Sequence, residues 1–365
     1  MRTFLTVVTS VVITAALAAP AGAATHELVL PAPTGRHPVG VDRLHLVDED
    51  RTDPWVPTGP RELMVSVWYP AAEARGAGVP YASAEESRLL LDLYGITDAP
   101  PDALTRVRTH ARAGAPPLRT PVRQPLVVLS PGLAFPRWTL TTLGEDLASR
   151  GYVVVGVDHT HEGAAVTFPD GRVAGCVVCG GEASGAAITA GRALDISFVL
   201  DSVLARQRYR ELVDPRRIMA AGHSIGGASA AATMLADPRV DAGVNLDGSF
   251  QPALGQDLSR PFLLLSAEDR SPGRRPDWDR TWPRLTGWRS WLHVPGAGHS
   301  SLSDAAVVTE WLGLPPRALP GARVVEVLRA YVAAFADQHL RHRPRQLLAG
   351  PSPRFPEVHF VGPPR

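Results

Sequence analysis

The chain has 365 residues, of which 45% are hydrophobic and 20% charged, and its formal net charge is +1. This near-neutral balance gives no sign of nucleic-acid binding or of strong attraction to anionic membranes, and the hydrophobic share fits a chain with a substantial core. All 37 basic residues are arginine, and the lack of lysine excludes a Walker A phosphate loop, a Schiff base and a Ser-Lys dyad.

The first 23 residues have the pattern of a secretory signal peptide. Arg2 provides a short basic start, residues 4–19 are almost wholly apolar, and Ala21-Gly22-Ala23 offers small residues for cleavage. The apolar run is shorter than the roughly 20 residues of a membrane span, and an uncleaved N-terminal anchor is the alternative. We therefore expect a secreted protein that is cleaved after Ala23.

From about residue 126, short apolar segments alternate with helical patterns. The candidate strands are Leu126–Leu129, Val153–Val157, Ile218–Ala221, Ala242–Leu246, Phe262–Leu265 and Trp288–Val294. Apolar residues keep helical spacing within 140–147, 196–203 and 324–332. This alternation predicts an α/β domain over 24–345, with a mainly parallel sheet and helices on both faces. Upstream, Val41–Leu46 and Leu63–Trp68 have the pattern of edge strands that precede the parallel part.

Two segments depart from this rhythm. Residues 71–124 form an insertion with a short amphipathic stretch around Leu89–Leu93, and we expect it to be a cap near the functional site. The chain from His339 onward is rich in Arg and Pro, and we treat 346–365 as a C-terminal tail. Such a tail is expected to pack loosely or to be mobile.

The segment Gly-His-Ser-Ile-Gly-Gly at residues 222–227 carries the sharpest chemical signal. It follows a strand-like segment and precedes an Ala-rich, helix-forming run, the context of the G-x-S-x-G nucleophile elbow in α/β-hydrolases. Gly222 and Gly226 leave room for the tight turn that this elbow requires. The pattern predicts an α/β-hydrolase fold with Ser224 as the nucleophile.

A serine nucleophile needs a base, and the chain has 12 histidines. In α/β-hydrolases the histidine comes last in chain order, after the final strand. His299 meets this condition because it follows the strand 288–294 on a Gly-rich loop. His223 lies inside the elbow, cannot reach back to its own neighbour and is expected to be a packing residue, while His293 lies within the strand itself.

The acid that orients the histidine has several candidates. Asp247 follows one predicted strand, and Glu268 and Asp269 follow the next. Both positions are carboxyl ends of strands, where this fold places its site, so chemistry alone leaves the choice open. Asp304 is a third candidate, but we expect it to cap the following helix.

The oxyanion of the tetrahedral intermediate also needs hydrogen-bond donors. One is predicted to be the N–H of Ile225, directly after the nucleophile. The other is predicted to be the N–H of Leu133, in the loop after the first central strand, where Gly132 lets the backbone turn inward.

Cys176 and Cys179 are the only cysteines. In an exported protein we expect them to form a local disulfide, whose short loop limits its stabilising effect. A zinc site with His159 and His161 is the alternative, but no recognised ligand spacing supports it. No metal or organic cofactor is expected.

Several blocks of the chain resemble the platelet-activating-factor acetylhydrolase family (isoform II, plasma type). The similarity runs from about residue 38 to about residue 340, and the most specific blocks are 130–133, 147–154, 157–159, 222–227 and 246–247. The resemblance implies that Asp247 rather than Asp269 is the triad acid, that His299 is the base, and that Leu133 and Ile225 are the oxyanion donors. Pro131 replaces a residue that is often His in the family, which leaves the proposed donor intact.

The expected function is that of a secreted serine carboxylic-ester hydrolase. The resemblance implies that it removes short acyl groups from phospholipids or related small-molecule esters, with transient contact to a lipid surface. A lipase or a cutinase-like polyester hydrolase is the alternative within the same chemistry. In a different class, the fold serves as a non-catalytic binding protein.

Overall fold

The computed structural model describes residues 27–181, 183–267 and 274–361. The predicted signal peptide with its cleavage site, and the alternative acids Glu268 and Asp269, lie outside these residues. None of the helices that the described residues form combines the length and the apolarity that a membrane crossing demands.

A mixed, mainly parallel sheet forms the centre of the domain. Its strands, with a separate hairpin of β7 and β8, are β1 (Val39–Thr52), β2 (Pro60–Pro70), β3 (Gly78–Pro80), β4 (Arg108–Ala113), β5 (Gln124–Ser130), β6 (Val153–His159), β7 (Ala165–Thr167), β8 (Val173–Gly175), β9 (Val213–His223), β10 (Val240–Leu246), β11 (Phe262–Ala267), β12 (Arg289–Val294) and β13 (His359–Phe360). In the described part of the chain the order across the sheet is β13-β12-β11-β10-β9-β5-β6-β2-β1-β4-β3. The strands from β12 to β6 in this order are mutually parallel.

Helices cover both faces of this sheet. They are α1 (Ala84–Leu93), α2 (Thr141–Ser149), α3 (Gly185–Ala205), α4 (Gln207–Arg210), α5 (Ile225–Ala236), α6 (Pro276–Thr281), α7 (Ala305–Trp311) and α8 (Gly321–Leu340). One buried cluster joins the sheet to α2, α7 and α8, and a second joins its other face to α3, α5 and α6. The central strands are buried on both sides, which is why they are continuous Val- and Leu-rich runs. The predicted α/β architecture is confirmed.

The expectation that the two upstream strands are edge strands is wrong. β2 lies between β6 and β1, and β1 lies between β2 and β4. The insertion supplies the reason, because its strands β3 and β4 continue the sheet beyond β1. The insertion therefore extends the sheet as well as contributing α1.

The expectation of loose packing is wrong for the described part of the C-terminal tail. Phe355 and Val358 are 1% and 2% exposed, and β13 pairs with β12. The Arg323 guanidinium lies 4.9 Å from the centroid of the Phe355 ring, and Tyr331 of α8 contacts the same ring. A few apolar side chains among the Arg and Pro residues are sufficient to anchor the segment to α8.

Candidate active site

The predicted site residues converge at one edge of the sheet. Ser224 follows β9 and Asp247 follows the neighbouring strand β10, while His299 lies in the loop after β12. Leu133 lies in the loop after β5, on the other side of β9. All four strands are parallel, so their carboxyl ends meet at the same edge, where open α/β sheets bind ligands.

The backbone at Ser224 has the strained geometry of a nucleophile elbow. Its φ and ψ angles are 54° and −130°, a region that non-glycine residues rarely adopt. The glycine two residues on makes the turn possible, since a Cβ at Gly226 would lie 2.1 Å from the Ser130 carbonyl oxygen. Ser224 is held at the start of α5 by a bond from its N–H to the Leu246 carbonyl oxygen, 2.8 Å long.

A continuous hydrogen-bonded chain runs from the serine to the aspartate. His299 Nε2 lies 3.0 Å from Ser224 Oγ, and His299 Nδ1 lies 2.5 Å from Asp247 Oδ2. The structure therefore brings the three sequence-predicted residues into the order in which a Ser-His-Asp triad works. Their catalytic role remains a prediction.

The aspartate at the end of this hydrogen-bonded chain is shielded from solvent. The Asp247 side chain is fully buried, whereas that of His299 is 39% exposed. Burial raises the pKa of Asp247, and the hydrogen bond and charge of His299 act in the opposite direction. The Ala267 N–H donates to Asp247 Oδ1 at 3.2 Å, and Arg275 Nη1 lies 3.9 Å from the same oxygen. This support by Arg275 was not predicted from the sequence.

The residue after Asp247 packs directly against Ser224. A Cβ at Gly248 would lie 1.9 Å from the Ser224 carbonyl oxygen. The Gly248 carbonyl oxygen accepts a 2.6 Å bond from Trp278 Nε1. Gly at this position therefore permits a close approach between the loop after β10 and the elbow.

The two predicted oxyanion donors lie in the expected segments. Ile225 is the first residue of α5, and Leu133 lies in a turn directly after β5. Among the described residues, neither N–H donates to a protein acceptor. The turn is fixed on both sides of Leu133, by Ala134 N–H to the Glu162 carbonyl oxygen (2.8 Å) and Phe135 N–H to the Gly132 carbonyl oxygen (3.2 Å). Their role as donors to an oxyanion remains a prediction.

His223 has a second role that the sequence analysis missed. Its Nε2 lies 2.8 Å from the carbonyl oxygen of His299, and its ring packs between Phe135 and His299. Burial lowers the pKa of His223 to about 3, the charge of His299 acts in the same direction, and the hydrogen bond to the His299 carbonyl oxygen acts against both. The ring is therefore neutral and donates its Nε2–H, which positions the His299 loop. Its place beside the nucleophile was the available signal.

Asp304 lies outside this chain of contacts. It precedes α7 but its side chain makes no cap there, contrary to expectation. Its carboxylate instead accepts from the N–H and the hydroxyl of Thr142, at 3.1 and 2.5 Å, in the first turn of α2. The fold brings the two helix ends together, a long-range contact that local sequence does not reveal.

Cys176 and Cys179 form the predicted disulfide bond. Their sulfurs are therefore not available as thiolate ligands to zinc. Within the ranges that the structure describes, no three His, Cys, Asp or Glu side chains are grouped as metal ligands.

An apolar cavity of about 360 Å³ lies beside the chain of site residues. Its aromatic and apolar lining includes Tyr81, Leu90, Tyr94, Phe135, Trp138 and Leu312. Phe135 also contacts the His223 ring, and Ser300, next to His299, is part of the wall. The insertion contributes α1 and the residues around it to this wall, and its role as a cap stays a prediction.

Comparison with known proteins gives a consistent result. The model of the family "Platelet-activating factor acetylhydrolase, isoform II" matches residues 23–172. A probable 1-alkyl-2-acetylglycerophosphocholine esterase of Arthroderma benhamiae is 27% identical over 92% of this chain and 94% of its own. The platelet-activating factor acetylhydrolase of Cavia porcellus is 27% identical over 42% of each chain.

A solved structure resembles the whole domain. The ferulic acid esterase from Streptomyces cinnamoneus is 45% identical and superposes with a TM-score of 0.84. The match covers 92% of this chain and 100% of that one. At this identity the likeness extends beyond the fold to the sequence itself.

Proposed function

The chain is an ester hydrolase of the platelet-activating factor acetylhydrolase (isoform II) family, and we propose that it works by acyl transfer through Ser224. The observation that carries the proposal is the hydrogen-bonded chain from Ser224 through His299 to Asp247. A buried carboxylate, an imidazole that solvent reaches and a strained serine match the parts that such chemistry needs.

The proposed reaction has two steps. Ser224 Oγ attacks the ester carbonyl carbon while His299 Nε2 takes the hydroxyl proton, and the resulting oxyanion accepts hydrogen bonds from the N–H groups of Leu133 and Ile225. The ester C–O bond then breaks, and His299 gives its proton to the departing alcohol. Water, deprotonated by His299, attacks the acyl-enzyme, the bond between the acyl carbon and Ser224 Oγ breaks, and His299 returns the proton to Ser224 as the acid leaves. Asp247 stabilises the imidazolium in both steps.

For the substrate, the first candidate is a phospholipid or related ester that carries a short acyl group. The names of the family and of the fungal relative support it. We also propose that the protein is secreted, on the basis of the signal-peptide pattern in residues 1–23 and the disulfide of Cys176 and Cys179.

A second candidate is an ester of ferulic acid or a similar aromatic acid. The specific observation in its favour is the cavity of about 360 Å³ beside the site, whose aromatic lining suits a flat ring. An acetyl group would leave most of that space empty. The name of the 45% identical Streptomyces esterase supports the same candidate.

The test compares esters on one enzyme and two variants. Hydrolysis is measured for p-nitrophenyl esters from acetate to laurate, for 1-alkyl-2-acetylglycerophosphocholine and for methyl ferulate. Ser224→Ala is the test variant, and Ser202→Ala in the last turn of α3 is the matched control. A fluorophosphonate probe reports whether Ser224 is nucleophilic.

The outcomes separate the candidates. Serine-dependent cleavage restricted to short acyl groups favours the first substrate, and a preference for methyl ferulate favours the second. Preference for long chains would move the assignment to a lipase or a cutinase-like enzyme. Full activity in Ser224→Ala would overturn the mechanism, and folded protein that neither reacts nor is labelled would indicate a binding protein.

A further inference from the structure

A second Ser-His-Asp chain lies buried beneath the loop that carries Leu133. Ser130 Oγ lies 2.9 Å from His159 Nε2, and His159 Nδ1 lies 2.8 Å from Asp195 Oδ2. All three residues are at most 2% exposed. A neutral imidazole has one donor and one acceptor, so Nδ1–H donates to Asp195 and Nε2 accepts the Ser130 hydroxyl proton.

Arg192 of α3 connects this chain to the loop. Its Nη1 group donates to the Pro131 carbonyl oxygen and, at 3.3 Å, to Ser130 Oγ. Its Nε donates to Glu162 Oε2 at 2.6 Å. The Arg192 side chain is 1% exposed, and a guanidinium presents its donors in a rigid fork, so these contacts fix the geometry of their partners.

Glu162 holds the other end of the loop. Its carbonyl oxygen accepts the Ala134 N–H at 2.8 Å, and its carboxylate accepts from Arg192 and, at 2.8 Å, from Trp55 Nε1. Arg192 and Glu162 therefore clamp the loop at Pro131 and at Ala134. Ala134 has a φ of 69°, a strained conformation that the surrounding contacts must maintain.

The surrounding charges hold the buried Asp195 and His159 in one protonation state. Arg61, 1% exposed, bonds Asp195 and Asp53 at 2.7 Å each and lies 3.5 Å from Glu162. Burial alone would raise the pKa of Asp195, but the charge of Arg61 and the hydrogen bond from His159 bring it well below its usual range. Burial and the charge of Arg192 lower the pKa of His159. The aspartate thus stays ionised and the imidazole neutral.

We propose that Arg192 is a positioning residue for ester hydrolysis. Arg192 holds the Pro131 carbonyl oxygen while Glu162 holds the Ala134 N–H, and together these contacts aim the Leu133 N–H at the oxyanion. The inference rests on the proposed function, because it assumes that Leu133 is an oxyanion donor. Arg192 itself touches no reacting atom. Its effect is expected in the transition state alone, since the oxyanion forms there and not in bound substrate.

The size of the effect follows from the loss of one aligned donor. Removing an oxyanion donor lowers kcat by about 10²- to 10³-fold, and we expect misalignment of a donor to lower kcat by about 10²-fold. KM should change by less than about threefold, because ground-state binding does not use the donor.

The experiment uses two variants and a matched control. Arg192→Lys keeps the buried charge but loses the fork, and Arg192→Met with Glu162→Gln removes both charges together. Arg329→Lys is the control, since Arg329 is also buried and donates to backbone carbonyls away from the loop. kcat and KM are measured with a p-nitrophenyl ester, and the inhibition constant is measured for a trifluoromethyl ketone, which forms a tetrahedral oxyanion on a serine.

The expected result is a parallel loss of about 10²-fold in kcat and in ketone affinity for the Arg192 variants, with KM almost unchanged. The control should stay near the parent enzyme. Should the double variant fail to fold, Arg192→Lys carries the test. Unchanged kcat and ketone affinity in folded, Ser224-dependent enzyme would overturn the inference and leave the proposed function intact.

A change in KM alone, or an equal loss in Arg329→Lys, would also overturn the inference, because either result would indicate a general structural role for Arg192. Activity that persists in Ser224→Ala would instead overturn the proposed function. The two failures are therefore distinguishable.

Discussion

Two hydrogen-bonded chains of serine, histidine and aspartate lie at the same edge of the sheet. The surface chain consists of Ser224, His299 and Asp247, and the buried chain consists of Ser130, His159 and Asp195. The distance from serine Oγ to histidine Nε2 is 3.0 Å in the surface chain and 2.9 Å in the buried chain. Connectivity and spacing therefore do not distinguish them.

The surroundings of the two imidazoles distinguish the surface chain from the buried chain. The His299 side chain is 39% exposed, whereas that of His159 is fully buried, and the charge of Arg192 adds to burial in lowering the pKa of His159. A general base must be able to become a cation during the reaction. The buried chain is thus fixed in one protonation state, while His299 of the surface chain is accessible to solvent. Triad geometry alone is a weak guide to catalysis, and the charges around the imidazole add the missing information.

The largest expected effect on kcat comes from replacing the histidine of each chain in turn. His299→Ala should lower kcat by about 10⁶-fold, because the nucleophile loses its base. His159→Asn should lower it by about tenfold or less, since it disturbs only the support of the oxyanion loop, and it should cost about 1 to 3 kcal/mol of unfolding free energy. The measurement is kcat per mole of folded protein, with urea unfolding in parallel. Similar losses of kcat in both variants would contradict the distinction.

Replacing the aspartates should separate activity from stability, because Asp247→Asn should mainly lower kcat and Asp195→Asn should mainly lower the free energy of unfolding. Asp247→Asn should lower kcat by about 10⁴-fold at neutral pH, because the amide favours the wrong tautomer of His299 and does not stabilise the imidazolium. Asp195→Asn removes one of the two carboxylates that bond the buried Arg61 at 2.7 Å and should cost about 3 to 5 kcal/mol of stability. The kcat per mole of folded protein and the urea midpoints test both claims. A stable, inactive Asp195→Asn protein would be the result against them.

Two members of the surface chain were predictable because they have a local signal. Ser224 lies in a Gly-rich elbow after a strand, and His299 follows a strand in the expected chain order. The choice of Asp247 over Asp269 needed the family resemblance, because both follow a predicted strand. The parallel sheet was predictable for a similar reason, since its apolar strands alternate with helical segments. Both cases depend on patterns that extend over a few residues.

The buried chain has no such signal. Arg61, Arg192 and Asp195 come from β2 and α3, and a charged residue in a sequence is ordinarily a solvated one. Only the fold shows that these charges meet beneath the loop after β5. The position of β3 and β4 beyond β1 was missed for the same reason, because strand order depends on long-range pairing.

The smallest expected effect is the change in the pH dependence of stability when His223 is replaced. His223 contacts the surface chain but is buried like His159. Its pKa is lowered to about 3 in the folded protein, mainly by burial, against about 6.5 in an unfolded chain. The unfolded chain therefore binds more protons below pH 6.5, so stability is present above that pH and is lost as the pH falls.

For His223 this loss should reach about 2 kcal/mol at about pH 5, or 1.4 kcal/mol per unit below 6.5. His223→Gln keeps an N–H donor towards the His299 carbonyl oxygen but cannot be protonated. Its unfolding free energy should therefore fall by about 2 kcal/mol less than that of the parent between about pH 7.5 and pH 5. Urea unfolding at the two pH values measures the difference, and His159 contributes equally to both proteins. An identical fall in both would mean that the folded protein accepts a proton at His223, and that the hydrogen bond to the His299 carbonyl oxygen outweighs burial.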